Sequence, residues 1–330
     1  MNRLEIVIVT PALADANNGN WQTARRWASM LRTHYRVRIA AEWEPGKPGE
    51  GGGEALMIAL HARRSAASVA NWKALRTDGA PLIVVLTGTD LYRDIASDAS
   101  AQASLHSADR LVVLNELGAR TLPAALRSKT HVLLQSCAAR EPLAKTRRHL
   151  RAVMVGHLRE EKSPQTYFDA VRRLAHRPDI LFDHVGAALD PALGSHAMAL
   201  MTTCPRYRWL GGLTHTESRR RIQAAHVLVH PSRIEGGAHA VIEAIRSGTP
   251  VLASRIDGNV GLLGDDYGGY FAVGDGEGLA NLLRRLRNEP AELARLQEQC
   301  SARSELFSPA RESASLHALV RDLQTPPYQI

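Results

Sequence analysis

Residues 226–254 read HVLVHPSRIEGGAHAVIEAIRSGTPVLAS, and their reading decides the architecture. Two short apolar runs, HVLVHP (226–231) and PVLAS (250–254), bracket a stretch with helical spacing at 238–247. Strands that are apolar throughout, rather than alternately, are buried on both faces, as in a parallel sheet crossed by helices. In such sheets ligands sit beyond the carboxyl ends of the strands, so chemistry is sought in the loop SRIEGG. That loop places Glu235 at the strand edge and Glu243 in the second turn of the helix, with seven mostly small residues between them.

Two carboxylates so placed admit two readings. Glycosidases use a carboxylate pair, but usually from separate elements across the sugar, whereas here one loop–helix unit supplies both. The alternative is a sugar-nucleotide seat. The N–H groups around Gly237, Ala238, His239 and Ala240 favour a phosphate. Gly236 and Gly237 admit its close approach, and the two carboxylates accept hydrogen bonds from hydroxyl pairs on either side.

The same alternation extends in both directions. Downstream of 150 come RAVMVG (151–156), a helix opened by Ser163-Pro164, DILFDHVG (179–186), a helix near 190–201, YRWLG (207–211) and a helix near 214–224. Late helices are expected at 276–288, 290–303 and 309–323, and Ser163 is a natural N-cap with Pro164 at the first helical position. Upstream lie LEIVIVT (4–10), a helix over 21–32, VRIA (37–40), EALMIAL (54–60), a helix over 62–75, PLIVVLT (81–87), RLVVL (110–114), a helix near 115–126 and HVLLQ (131–135). Between the halves, AAREPLAKTRRH (138–149) is polar and without apolar period, as suits a linker. A chain of 330 residues exceeds what one core usually serves. The expected fold is α/β, with two doubly wound Rossmann-like domains facing an interdomain cleft. Residues 1–145 form an acceptor-binding domain and 146–307 a nucleotide-sugar-binding domain, with a C-terminal helix over 308–330 packing back on the first.

Composition narrows the function. The formal charge of +8 favours acidic partners, yet the basic residues are scattered in short groups, aromatics are only 5%, and no nucleic-acid module is present. Nucleic acid is therefore not expected. Three cysteines, Cys137, Cys204 and Cys300, stand in no metal-like spacing, which points to a reduced cytoplasmic protein without disulfides or a zinc site. MNRLEIVIVTP reads as a first strand, and no run of 18 apolar residues occurs, so neither a signal peptide nor a membrane span is expected.

The loops after the N-terminal strands lack G-x-G-x-x-G and G-x-x-x-x-G-K-[ST], so nicotinamide, flavin and P-loop sites are not expected. They carry instead Asn20, Thr23, Arg26, His61, Arg63, Arg64, Thr87, Thr89 and Arg93, a set of donors suited to an anion. Asp90 is placed either as a base or as a helix cap. His61 and His239 read as anion contacts or packing histidines, and Cys137 as a small buried thiol. GHLREEKSP (156–164) brings Lys162 to a helix start, where it can stabilise the charge of a departing diphosphate without a metal.

HPSRIEGGAHAVIEAIRSGTPVLAS and GHLREEK resemble the signature segments of the family 4 retaining glycosyltransferases of GT-B fold. By that resemblance Glu243 binds the ribose hydroxyls, Glu235 the donor-sugar hydroxyls, Lys162 the diphosphate, and the backbone of 236–239 the distal phosphate. WLGGL (209–213), with Gly211 and Leu213, lines the base. His157 stands where the family usually has arginine, which moves one diphosphate contact towards Arg159. Gly237-Ala238 replaces the usual aromatic–glycine pair, with His239 following.

GNWQTARRWASMLR, ALHARRSA, LTGTDLYRDI and DGNVGLLGDDYGGYF together resemble a narrower group, the selenosugar synthases of selenoneine biosynthesis. This implies transfer from a UDP-sugar, UDP-GlcNAc or UDP-glucose, to selenophosphate with no cofactor. Glu235, Lys162 and His61 are then the candidate catalytic residues, and Asn20, Thr23, Arg26, His61, Arg63, Thr87, Thr89, Asp90 and Arg93 the acceptor set. A hydroxyl acceptor, or a nucleotide-sugar epimerase on the same fold, are the alternatives.

Overall fold

A computed structural model describes residues 3–13, 19–44 and 53–324. Two compact units are present, one formed by the chain up to Gln135 together with the segment from Pro309, the other by Ser136–Ser308. The first contains β1 (Glu5–Val9), α1 (Gly19–Leu31), β2 (Arg36–Ala40), β3 (Glu54–Leu60), α2 (Ala66–Leu75), β4 (Leu82–Leu86), α3 (Thr89–Tyr92), α4 (Ala99–Ser107), β5 (Arg110–Val113), α5 (Ala124–Arg127) and β6 (Thr130–Val132). Its strands run parallel in the order β2-β1-β3-β4-β5-β6. The two-residue period of a strand divides the apolar runs between two cores. Val7, Val9, Met57 and Ala59 pack with Val69 and Trp72 of α2 and Leu105 of α4. Ile6, Ile8, Leu56 and Ile58 pack with Trp27 and Leu31 of α1.

The second unit repeats the plan with β7 (Leu150–Val155), α6 (Pro164–Arg173), β8 (Ile180–Val185), α7 (Pro191–Thr203), β9 (Tyr207–Trp209), α8 (His215–Ala224), β10 (Val227–His230), α9 (His239–Ile245), β11 (Val251–Ser254), α10 (Asp257–Leu263), β12 (Tyr270–Phe271), α11 (Gly276–Asn288) and α12 (Pro290–Arg303). The order is β12-β11-β10-β7-β8-β9, again all parallel. The last helix, α13 (Pro309–Gln324), belongs to the first unit. There Leu316, Leu319 and Val320 join the core of α1, and buried Glu312 accepts from Arg26 Nε at 2.9 Å and Trp27 Nε1 at 2.7 Å. Among the described residues no helix is long and apolar enough to cross a membrane.

Several local expectations differ from the structure. Residues 138–149 are irregular, but they belong to the second unit: Cys137 N donates to Phe307 O at 3.3 Å and Arg140 N to Arg246 O at 2.8 Å. The boundary therefore falls at 135/136 rather than 145/146, because backbone groups of this polar stretch pair with the second unit. The helix expected from 62 begins at Ala66, since His61 turns the chain with φ 76° and Ser65 Oγ donates to Leu60 O at 2.7 Å. Pro123 replaces the helix near 115–126 with a 3-10 turn and the short α5. Ser163 adopts a left-handed conformation and bonds Thr166 Oγ1 at 2.9 Å instead of capping α6. α4 and α10 are not expected from the sequence pattern; α4 is capped by Asp98, which accepts from Ala101 N at 2.9 Å.

Candidate active site

Where a doubly wound sheet reverses its strand order, the loops leaving two adjacent strands diverge and open a crevice. In the second unit that point lies between β7 and β10. The loop after β7 ends on Lys162 and the loop after β10 carries Glu235, and Arg233 N donates to Glu161 O at 2.8 Å, tying them together. Lys162 Nζ forms a direct ion pair with Glu235 Oε1, the side chains being 19% and 11% exposed. His230, the last residue of β10, brings Nε2 to 3.2 Å from the same oxygen. Burial alone pushes the Glu235 carboxyl up, but Lys162 and His230 outweigh it and hold the group well below the usual carboxylate range. Gly258 backs this loop: a Cβ there would lie 2.0 Å from the Glu235 carbonyl oxygen, so only glycine lets α10 approach.

Glu243 lies one helical turn inside α9 and is 4% exposed. Its Oε1 is met by His215 Nε2 at 2.5 Å and His239 Nδ1 at 3.2 Å, with Arg219 Nε 4.0 Å away. Burial raises its pKa, yet the two histidines bring it down to about 2. The start of α8 is held by a capping box in which Thr214 and Glu217 each satisfy the other's backbone N–H, and this places His215. Gly211 precedes it with φ 68°, and Leu213 is half-buried. Gly236 and Ala238 are buried, whereas Gly237, His239 and Ala240 are partly exposed around the start of α9.

His157 does not replace an arginine as a free cation. Its Nδ1 accepts from Ala187 N at 3.1 Å, and desolvation, with Arg159 and Lys162 nearby, holds its pKa below the usual value. Arg159 is exposed, with Nε 4.0 Å from Glu161.

The corresponding reversal in the first unit lies between β1 and β3. Residues 14–18 of the loop after β1 lie outside the described residues. Buried His61, leaving β3, sets Nε2 3.1 Å from Thr89 Oγ1. Desolvation lowers its pKa, with Asp90 and Asp94 opposing. Arg63 Nε pairs with Asp94 at 2.9 Å and Arg93 Nε at 3.2 Å, while Arg64 is exposed. Three expectations need correction. Arg26 points to Glu312 in a largely buried pair, so it is a structural clamp on α13. Thr23 is buried, its hydroxyl donating to Gly19 O at 2.9 Å and accepting from Gln135 Nε2 at 2.6 Å. Asp90 is fully buried and accepts from Ala62 N, Thr87 N and Gly88 N at 2.8–2.9 Å, which makes it a backbone organiser rather than a base. Asn20 lies in the first turn of α1, half-buried, and Thr87 and Thr89 are partly exposed at the end of β4.

Sequence reasoning missed His230, His215 and Asp94. His230 carried one usable signal, its place at the carboxyl end of a strand directly before the loop. His215 reaches Glu243, and Asp94 reaches Arg63, through tertiary packing, which no local pattern encodes. Cys137, Cys204 and Cys300 are all buried.

The family model described as glycosyl transferases group 1 matches residues 138–304. No curated protein matches the chain. Among solved structures, sucrose-phosphate synthase from Thermosynechococcus elongatus superposes with a TM-score of 0.78 at 17% identity, covering 98% of this chain and 99% of that one. HepE from Anabaena, solved with UDP and glucose, gives a TM-score of 0.76 at 14% identity, over 97% and 100% of the two chains. The pneumococcal O-GlcNAc transferase GtfA, solved with UDP and GlcNAc, gives 0.65 at 16% identity, over 82% of this chain and 57% of that one.

Proposed function

The chain belongs to the glycosyl transferases group 1 family and is a glycosyltransferase of GT-B fold, and we propose that it transfers a sugar from a UDP-sugar to selenophosphate. The observation that carries the donor half is the pairing of Lys162, after β7, with Glu235, after β10, while Glu243 stands one turn into α9. In this reading Glu243 accepts from the ribose hydroxyls and Glu235 from the sugar. Lys162, with the backbone of 236–239, takes the diphosphate, Arg159 supplies a further contact, and Gly211 and Leu213 border the base. Uridine diphosphate as the carrier is supported by HepE, which is solved with UDP-glucose, and by GtfA with UDP and GlcNAc.

Selenophosphate rests on the resemblance of GNWQTARRWASMLR, ALHARRSA, LTGTDLYRDI and DGNVGLLGDDYGGYF to the selenosugar synthases. One structural fact suits it. Hydroxyl acceptors normally need a general base, and Asp90, the carboxylate placed for that role, is engaged by three backbone N–H groups. Selenophosphate arrives already anionic: its selenium forms the bond to the anomeric carbon as the bond from that carbon to the diphosphate oxygen breaks, and UDP leaves with the electron pair. His61, Arg63, Arg64, Thr87, Thr89 and Arg93 supply donors and positive charge for it, while Asn20 contributes an amide. Release of UDP from a UDP-sugar is then expected only when selenophosphate is present. Release at an equal rate in its absence overturns the acceptor assignment.

A further inference from the structure

The two histidines on Glu243 make a constellation that a ribose contact does not require. His239 opens α9 and Glu243 follows at i+4 on the same face, while His215 reaches the same carboxylate from the first residue of α8. His215 Nε2, His239 Nδ1 and the Glu243 carboxylate oxygen all lie within 4.8 Å of one another. The His215 side chain is 55% exposed and that of Glu243 5%, so the cluster opens to solvent on one side.

His239 Nε2 lies 3.3 Å from Ser136 O, which can only accept, so that ring nitrogen donates. Its Nδ1 faces the Glu243 oxygen at 3.2 Å, the same oxygen that His215 Nε2 meets. Two imidazole nitrogens and a carboxylate oxygen gathered in this way are a ligand set for a borderline divalent cation. The bond to Ser136 is also the outer support that metal-bound histidines commonly have, a ring N–H donated to a carbonyl.

We propose that His215, His239 and Glu243 bind a borderline divalent cation such as Zn²⁺, and that the bound ion competes with nucleotide for Glu243. The ion site stands on the geometry alone, whereas the competition rests on the ribose role given to Glu243 above. The ion has no part in the chemistry: it withdraws a carboxylate from the donor. This departs from the sequence-based expectation of no metal, which weighed the cysteines and not these histidines. Arg219 Nε, 4.0 Å from the same oxygen, is a fixed positive charge that keeps the affinity below that of a structural zinc site.

The test uses the untagged full chain, stripped with a chelator and titrated at neutral pH with Zn²⁺ by calorimetry and with Co²⁺ by visible absorption. About one ion per chain is expected, with affinity falling about tenfold or more in His215→Ala and His239→Ala. His215 is solvent-exposed, so its variant keeps the fold, as thermal melting verifies. No binding, or binding undiminished in both variants, overturns the site. UDP titrated with and without saturating Zn²⁺ is expected to bind more weakly with the metal in the wild type and equally in His215→Ala. UDP affinity indifferent to Zn²⁺ in the wild type overturns the competition. UDP that fails to bind the metal-free protein overturns the donor reading instead, and the zinc titration decides the ion site separately.

Discussion

Replacing Lys162 by alanine separates the resting structure of the site from its proposed chemistry. In the resting protein Lys162 Nζ holds Glu235 Oε1, and His230 reaches the same oxygen at 3.2 Å. Burial pushes the Glu235 carboxyl up and Lys162 is the largest influence bringing it down, so Lys162→Ala raises the pKa of Glu235, which a carboxyl-carbon NMR titration reads directly. In the reaction the ammonium group is assigned to the diphosphate as its charge develops. Loss of one well-placed donor of this kind costs about 2.7–4 kcal/mol, or about 10²–10³ in rate. Under saturating UDP-sugar and selenophosphate, kcat for UDP release is expected to fall by that factor, while thermal melting shows the variant folded. Stability should change far less than the barrier, because an uncompensated Glu235 can take up a proton rather than stay charged. Near-normal kcat in a folded Lys162→Ala protein refutes the assignment, and so does a rate loss that follows the loss of folded protein.

Glu243→Gln removes the charge that the ribose hydroxyls are proposed to bond. The dissociation constant of UDP should rise about tenfold, a loss of about 1.4 kcal/mol, by calorimetry on metal-free protein, and unchanged affinity refutes the role. Gly258→Ala places a methyl group 2.0 Å from the Glu235 carbonyl oxygen. We expect a stability loss of about 1–3 kcal/mol in urea unfolding and a lower kcat; a variant with wild-type stability and rate contradicts the packing described. His184 is fully buried, and burial brings its pKa down from the ordinary 6.5 to about 4. The unfolded chain therefore takes up this proton first, so stability is complete above about pH 6.5 and falls as the pH drops towards 4, by about 3 kcal/mol for this group. Urea midpoints should follow that slope in the wild type and flatten in His184→Gln, and equal slopes would show that His184 is not the group responsible.

Strand and helix identity was legible wherever the apolar run was continuous or the helix carried end signals. EALMIAL occupies Glu54–Leu60 as read, and the late helices fall within a residue or so of expectation. α4 escaped notice because ASDASAQASLHS is small and polar, without an apolar stripe, so Asp98 as a cap is its main local signal. The linker illustrates the opposite limit. Its polarity described its exposure correctly but not its allegiance, which is set by backbone bonds to Arg246 and Phe307 more than 100 residues away in sequence. In the site, Glu235, Lys162 and Glu243 were legible because a strand end and a helix start fix their positions locally. The acceptor set was less so. Arg26 meets Glu312 only once α13 returns over α1, Thr23 is taken by Gln135 from more than 100 residues away, and Asp90 showed its role only when three N–H groups from two loops converged on it. A histidine pair on Glu243 was invisible for the same reason, since His215 and Glu243 are 28 residues apart and meet through packing.

The central claim is that a bond forms between the sugar's anomeric carbon and selenium. The direct measurement is the product of a reaction containing the full chain, a UDP-sugar carbon-13-labelled at the anomeric position, and selenophosphate. A product with the selenium isotope envelope by mass spectrometry, and with one-bond carbon–selenium coupling at the labelled carbon by NMR, is predicted. An oxygen-linked or selenium-free product, with UDP released all the same, contradicts it.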